Sequence, residues 1–452
     1  MGTSKRGAHF FYPSNLLKMS ETGIRSAEEQ GSLETHSDWL DSIPVRKADT
    51  IMASKAAFKA DKRPEKINAG IGYLIDPQTG KPFSPDVARM VTLDATADWE
   101  TSYLPQHGHA GYLESHGREM VFGRETWDSM PGAGEGKKPD NMAWIQALGG
   151  TGALSITADF FDQFLPEDRK KLLLDGGWGN HKTIFSAFEI TEYDRVAEGE
   201  GRYNHAGYME ALKAHPEGAP VLLQAAGYNG DGLDRTAEEW DEIVEVIKDR
   251  NLIPIVDFAY NGLAKGFDED NQIIRSLVVA EVPMFVNASN SKNFLYNARL
   301  GSVYAVNWGD ATNKIQDALC YAEEGVRPNF SNAPFVHAEA LDRILRDENL
   351  AEMYRSQIDR MATQVLDANR LELAATLARV NSPSPEVAQV TNWVRNGSGL
   401  FVNIAPGGLG AEQTRFLQDE KAIYTAGSRI NLGGIPPEKM PFVADAVREV
   451  LS

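Results

Sequence analysis

Short apolar runs that alternate with amphipathic stretches through the middle of this chain constrain its fold more than any other feature. MAWIQALGG (142–150) is apolar and closes on glycines, and TGALSITADFFDQFL (151–165) then reads as a helix. PVLLQAAGY (220–228) is a second short run, ended by the punctuated stretch NGDGLD. In TAEEWDEIVEVIKDR, Thr236 and Glu239 form a capping box, and Trp240, Ile243, Val244 and Ile247 recur at helical spacing. LIPIVDF follows as a buried strand, IIRSLVVAE as a helix and PMFVNAS as a strand. Strand, helix, strand in repeated order predicts an α/β fold with a mostly parallel sheet. Parallel neighbours need a crossover, and the crossover helix covers the sheet. Ligands of such sheets lie beyond the carboxyl ends of the strands.

The flanks read differently. Residues 1–45 are polar without sustained periodicity and are expected to be an N-terminal arm. INAGIGYLI, before the turn DPQTGKP, reads as strand and loop, and residues 46–80 are assigned to a small domain. Residues 81–360 would form the large domain. Residues 361–452 would complete the small one, with helices LAEMYRSQIDRMATQVLDANRLE and PPEKMPFVADAVREVL around strands GLFVNIAP and SRINLGGI.

Charge and cysteine usage exclude whole classes of function. Sixty-four acidic side chains against 45 basic ones give a net charge of -19, which repels nucleic acid and anionic membrane. An anionic small ligand must then be held by a local cluster of donors. The single cysteine, Cys320, rules out an intramolecular disulfide and a cysteine-based metal site, and no metal is expected. No stretch reaches the roughly 18 apolar residues of a membrane span, so a cytoplasmic setting is the expectation.

The chemistry-bearing residues fall where strands end. Asp257 closes LIPIVD, Tyr260 lies three residues on, Asn229 follows PVLLQAAGY, and Ser289 and Lys292 follow PMFVNA. GGTG (149–152) opens a helix, where free backbone N–H groups and the helix dipole favour an anion. Taken singly, each has an ordinary reading: a tight turn, a loop cap, a solvated lysine. Jointly they put an anion cradle, a carboxylate, a phenol, a carboxamide and a lysine on one rim of one sheet, as pyridoxal phosphate requires. A carboxylate at the pyridine nitrogen makes the ring an electron sink, and the lysine both anchors the cofactor and moves protons at the substrate α-carbon.

With those residues in view, the chain resembles the aspartate aminotransferase group, class I pyridoxal-phosphate enzymes of fold type I, from about Ile67 to the C-terminus. SNSKNFLYNARLG is similar to the family's lysine segment, INAGIG to its N-terminal glycine segment, SYLPQHG to the segment with a phosphate-binding tyrosine, and IQALGGTGAL to the phosphate loop. GGWGNHK resembles the ring-stacking segment, VDFAYNG the aspartate and tyrosine segment, and VRPNFSN and SRINLGGI two carboxylate-gripping arginine segments. The resemblance implies a large domain with a mostly parallel seven-stranded sheet, a smaller α/β domain, and a homodimer with shared active sites. Lys292 would carry the Schiff base and Asp257 would meet the pyridinium, with His181 behind it. Tyr260 and Asn229 would lie at the ring oxygen, and Trp178 would stack on the ring and border the substrate. Gly150, Thr151, Ser289 and Arg299 would hold the phosphate, joined by Tyr103 of the neighbouring subunit. Gly72 and Arg429, with Asn229, would meet the substrate α-carboxylate, and Arg327 of the neighbouring subunit the distal one.

Several positions depart from the family's pattern. Asn229-Gly230-Asp231-Gly232 stands where Asn-Pro-Thr-Gly is usual, predicting a more flexible, acidic loop. A glycine is missing between Phe294 and Leu295, which brings Arg299 one residue nearer to Lys292. Gly149 replaces a phosphate-binding serine and Phe330 a tyrosine, and Gln106, His107 and His109 stand where the family is mostly apolar. Two functions are therefore expected: transfer of the amino group of aspartate or glutamate to a 2-oxo acid, or, alternatively, a diverged chemistry such as β/γ-elimination, replacement, cyclisation or carbon–carbon bond formation.

Overall fold

The computed structural model describes residues 50–99, 102–134, 136–196, 202–379, 384–405 and 407–451, so the expected N-terminal arm lies outside the described residues. Its centre is a seven-stranded sheet in the order β2-β8-β7-β6-β5-β3-β4. The strands are β2 (Met142–Leu148), β3 (Lys171–Leu174), β4 (Glu189–Thr191), β5 (Pro220–Gln224), β6 (Ile253–Phe258), β7 (Met284–Ser289) and β8 (Leu300–Val306). Only β8 runs against its neighbours, β2 and β7. The expected seven-stranded, mostly parallel sheet is therefore present.

Burial on both faces explains why the strands read as apolar runs rather than alternating ones. Leu173, Val221, Leu223, Val256 and Val286 enter one core, while Leu172, Leu174, Leu222, Ile255 and Phe285 enter the other. The helix Gly149–Phe164 covers the second face with Ala153, Leu154, Ile156 and Phe161. The helices Ala237–Asp249 and Gln272–Val279 cover the first. Trp240, Ile243, Val244 and Ile247 are the buried residues of the former, as the helical spacing predicts, and its Thr236–Glu239 capping box forms.

The N-terminal glycine segment joins the C-terminal part of the chain. Strand β1 (Ile67–Asn68) pairs in parallel with β10 (Ile423–Tyr424), and β9 (Phe401–Asn403) pairs antiparallel with β11 (Arg429–Asn431). INAGIGYLI is strand only over its first two residues. A side chain at Gly70 would come within 2.9 Å of the Thr425 backbone, so the segment closes on its neighbour only without one. The long predicted helix near 350–372 is two helices, Glu348–Met361 and Ala368–Leu377, joined by a π turn. No helix among the described residues is long and apolar enough to cross a membrane.

Candidate active site

The carboxyl ends of β5, β6 and β7 and the start of the antiparallel β8 share one rim, and the chemistry-bearing residues gather there. Asp257 is in register with Gln224 on one side and Asn287 on the other. Lys292 follows β7 by three residues and is half-buried, its amine 5.4 Å from the Tyr260 ring centre and 5.9 Å from that of Tyr296. Burial pushes that amine down to about 8; Asp257 opposes the shift, and Arg299 and Arg429 add to it. A lysine so placed is neutral, and hence nucleophilic, far more often than a solvated one.

Behind the lysine lies a hydrogen-bonded chain. Asp257 is 4% exposed, and its carboxylate lies 2.9 Å from Nε2 of the fully buried His181. His181 in turn meets Trp178 edge to face, at 5.5 Å between ring centres. On the other side Asn229 donates through Nδ2 to the Tyr260 hydroxyl at 2.8 Å and accepts from Nη1 of Arg429. Burial raises the Tyr260 phenol well above its ordinary value, which keeps it a protonated donor. The Arg429 guanidinium lies over Phe401 at 4.3 Å, and burial lowers its pKa. Asn431, two residues along β11, holds the carbonyls of Ile71 and Tyr73 at 2.9 Å each, which ties the Gly72 turn to the strand carrying Arg429.

An anion cradle forms where β2 gives way to the helix Gly149–Phe164. Gly150 packs on Ser289 so closely that a Cβ would sit 2.9 Å from that of the serine. Arg299 donates to the Ser291 hydroxyl at 3.3 Å and to the Leu148 carbonyl at 3.4 Å. Two departures from the family pattern compensate here. A Cβ at Gly149 would come 2.7 Å from the Arg299 guanidinium, so the side chain missing at 149 makes room for the arginine that the shortened lysine segment brings nearer. Both residues sit at positive φ, 72° for Gly149 and 50° for Arg299. Arg299 thus joins Ser289 and the helix N–H groups around Gly150 and Thr151.

The expected flexible loop at 229–232 is not what folds. Asp231 is 5% exposed; its carboxylate pairs with Arg195 at 3.1 Å and accepts from the Leu233 N–H at 2.8 Å. Gln224 further holds the Asn229 N–H at 3.2 Å. A buried carboxylate must be paired, and pairing fixes the loop that glycine alone would leave loose. His109 is a helix cap: its Nδ1 accepts from the Tyr112 N–H, and its Nε2 lies 2.8 Å from Glu339. His107 is half-buried, with its carbonyl taken by the Gln146 N–H.

Tyr103 and Arg327, the two residues that the resemblance draws from a second subunit, stand apart from this cluster. Tyr103 is 79% exposed, Arg327 is exposed, and the guanidinium lies 6.0 Å from the phenol ring. Sequence reasoning missed Gln224 and Arg195. It also missed the buried network in which Asn290, two residues before Lys292, accepts from Tyr112 at 2.8 Å and approaches His116 at 3.1 Å. The signal for Arg195 was the buried acid itself, whose partner lies 36 residues upstream.

The donor set fits pyridoxal phosphate. A buried acid backed by histidine lies beside a depressed-pKa lysine, a phenol–carboxamide pair and a helix-end cradle that only glycine at 149 and 150 leaves open. The model of the family described as aminotransferase class I and II matches residues 88–446. The aspartate aminotransferase of Salmonella typhi is 31% identical over 91% of this chain and 100% of that protein. The aromatic-amino-acid aminotransferase of Escherichia coli is 30% identical over 89% and 98%. A crystal structure of the Burkholderia pseudomallei aromatic-amino-acid aminotransferase, covalently bound to pyridoxal phosphate, superposes with a TM-score of 0.79 at 27% identity, covering 91% of this chain and 98% of that one. With the lysine, its buried acid and the anion cradle on one rim and a family match across most of its length, the chain belongs to the class I and II aminotransferases and works with pyridoxal phosphate.

Proposed function

We propose that this aminotransferase moves the amino group of an acidic L-amino acid, aspartate or glutamate, onto a 2-oxo acid. When bound, pyridoxal phosphate supplies an electron sink for the charge that develops at the substrate α-carbon. Lys292 would anchor the cofactor, and its free amine would move the proton to and from the substrate α-carbon. Its lowered pKa suits it to both tasks. Asp257, oriented by His181, would keep a positive charge on the ring nitrogen. Tyr260 and Asn229 would hold the ring oxygen, and Trp178 would stack on the ring. Gly150, Thr151, Ser289 and Arg299 would grip the phosphate, with Tyr103 of a second subunit.

Arg429 carries the amino-acid reading, and Arg327 the preference for an acidic one. Its planar fork, seated on Phe401 and bonded to Asn229, suits the α-carboxylate, which also meets the Gly72 turn. Arg327, beside Tyr103 on the exposed face, would reach the distal carboxylate across a homodimer interface. Residues 46–80 and 361–452 would form the small domain and 81–360 the large one, in a cytoplasmic enzyme. An aromatic substrate is the second reading: Tyr73 and Tyr296 pair at 5.2 Å beside Lys292, and relatives include an aromatic-amino-acid aminotransferase. The similarity to aminotransferases does not favour elimination or cyclisation chemistry.

One variant tests the preferred substrate. Arg327→Ala should lower kcat/KM for aspartate by about 100-fold, the cost of a lost charged pair, and leave that for phenylalanine nearly unchanged. Equal losses for both substrates would remove Arg327 from the distal-carboxylate role.

A further inference from the structure

Besides Gln224 on Asn229 and Asp234 on Gly227 and Tyr228, the loop around Asn229 is held by an arginine from outside the site. Arg195 lies between β4 and the helix His205–Ala214, its side chain only 9% exposed. Its guanidinium stacks on Tyr228 at 3.2 Å, pairs through Nε with Asp231 at 3.1 Å, and donates through Nη2 to the Leu233 carbonyl at 2.5 Å. It therefore touches the residue before Asn229 and the second residue after it. The intervening Gly230 and the following Gly232 supply no stiffness of their own.

The arginine is itself fixed. Nη1 reaches the fully buried Asp175 at 3.3 Å, and Asp175 is gripped through both oxygens by Arg235 at 2.5 and 2.6 Å and accepts from the Tyr193 hydroxyl at 2.8 Å. The Tyr228 hydroxyl donates to the Asp175 carbonyl at 2.6 Å, which closes the network on itself. All three nitrogens of the Arg195 guanidinium are bonded within this network, and a planar, stacked, multiply bonded arginine is not replaceable by lysine.

We propose that Arg195 is a positioning residue for Asn229, bracketing it through Tyr228 and Asp231 where the family pattern relies on a proline. This rests on the role given above to Asn229 at the cofactor's ring oxygen. Asn229 sets the orientation of Tyr260 and Arg429, so a small rotation of the loop disturbs the groups around the ring without removing any of them.

The test uses the holoenzyme and the pH midpoint of the bound cofactor's visible absorbance, with thermal Tm measured alongside. Asn229→Ala should move the midpoint by about one pH unit. Arg195→Ala and Arg195→Lys should move it in the same direction, and so should Asp231→Asn, which keeps the buried volume if the alanine variant does not fold. Combining Arg195→Lys with Asn229→Ala should move it no further than Asn229→Ala alone, because an effect carried by Asn229 disappears with it. Folded Arg195 variants with a lowered Tm and an unmoved midpoint, or additive shifts in the double variant, overturn the proposal. A midpoint unmoved by Asn229→Ala itself strikes first at the role of Asn229, and this inference falls with it.

Discussion

At the scale of single residues, the proposed function puts the chemistry on the amine at 292, whose surroundings set the pH at which it can act. Its folded pKa of about 8 lies below the ordinary 10.5, so between these values the unfolded chain binds the extra proton. The apoprotein therefore gains stability as pH rises through that window, and the cost of the buried charge is present in full below about 8. The neutral, reactive form is correspondingly enriched near neutrality, by roughly 300-fold over a solvated lysine. Titrating the rate at which apoprotein takes up pyridoxal phosphate should give a midpoint near 8. A midpoint at the ordinary lysine value would mean that the amine is solvated. Lys292, Asp257 and Asn229 were legible in the sequence because each is a polar residue at the end of an apolar run. Their partners His181 and Arg429 were legible only through the family resemblance, since nothing local distinguishes them.

At the scale of elements, the parallel strands β5, β6 and β7 and their covering helices could be read from composition and spacing, and the capping box of Ala237–Asp249 from two residues alone. Strands β3, β4 and β8 could not. Lys171–Leu174 and Glu189–Thr191 are too short to show a period, and LGSVYAV follows directly on the lysine segment with a glycine inside it. That glycine is needed, because a Cβ at Gly301 would meet the Gly149 backbone at 2.6 Å. The compensation between Gly149 and Arg299 was likewise hidden, since it depends on how the start of one helix meets the start of a distant strand. It makes a direct prediction for the helix end. Gly149→Ala places a methyl against the Arg299 guanidinium at a φ of 72°, a conformation costing roughly 1–2 kcal/mol for a residue with a Cβ. Pyridoxal phosphate should then bind about tenfold more weakly to the apoprotein, as followed by absorbance titration. Unchanged affinity would mean that Arg299 takes no part in the cradle.

At the scale of the whole molecule, a chain of net charge -19 must concentrate its donors to hold an anionic cofactor, and the proposed cradle does so on one rim with a helix N-terminus, Ser289 and Arg299. All of this depends on the amine at 292 forming the covalent link. Borohydride reduction of the yellow holoenzyme followed by peptide mass spectrometry tests that link most directly. The predicted result is a pyridoxyl group on the peptide containing Lys292, with loss of the modification in Lys292→Ala; a pyridoxyl group on a different lysine, or none at all, would contradict it.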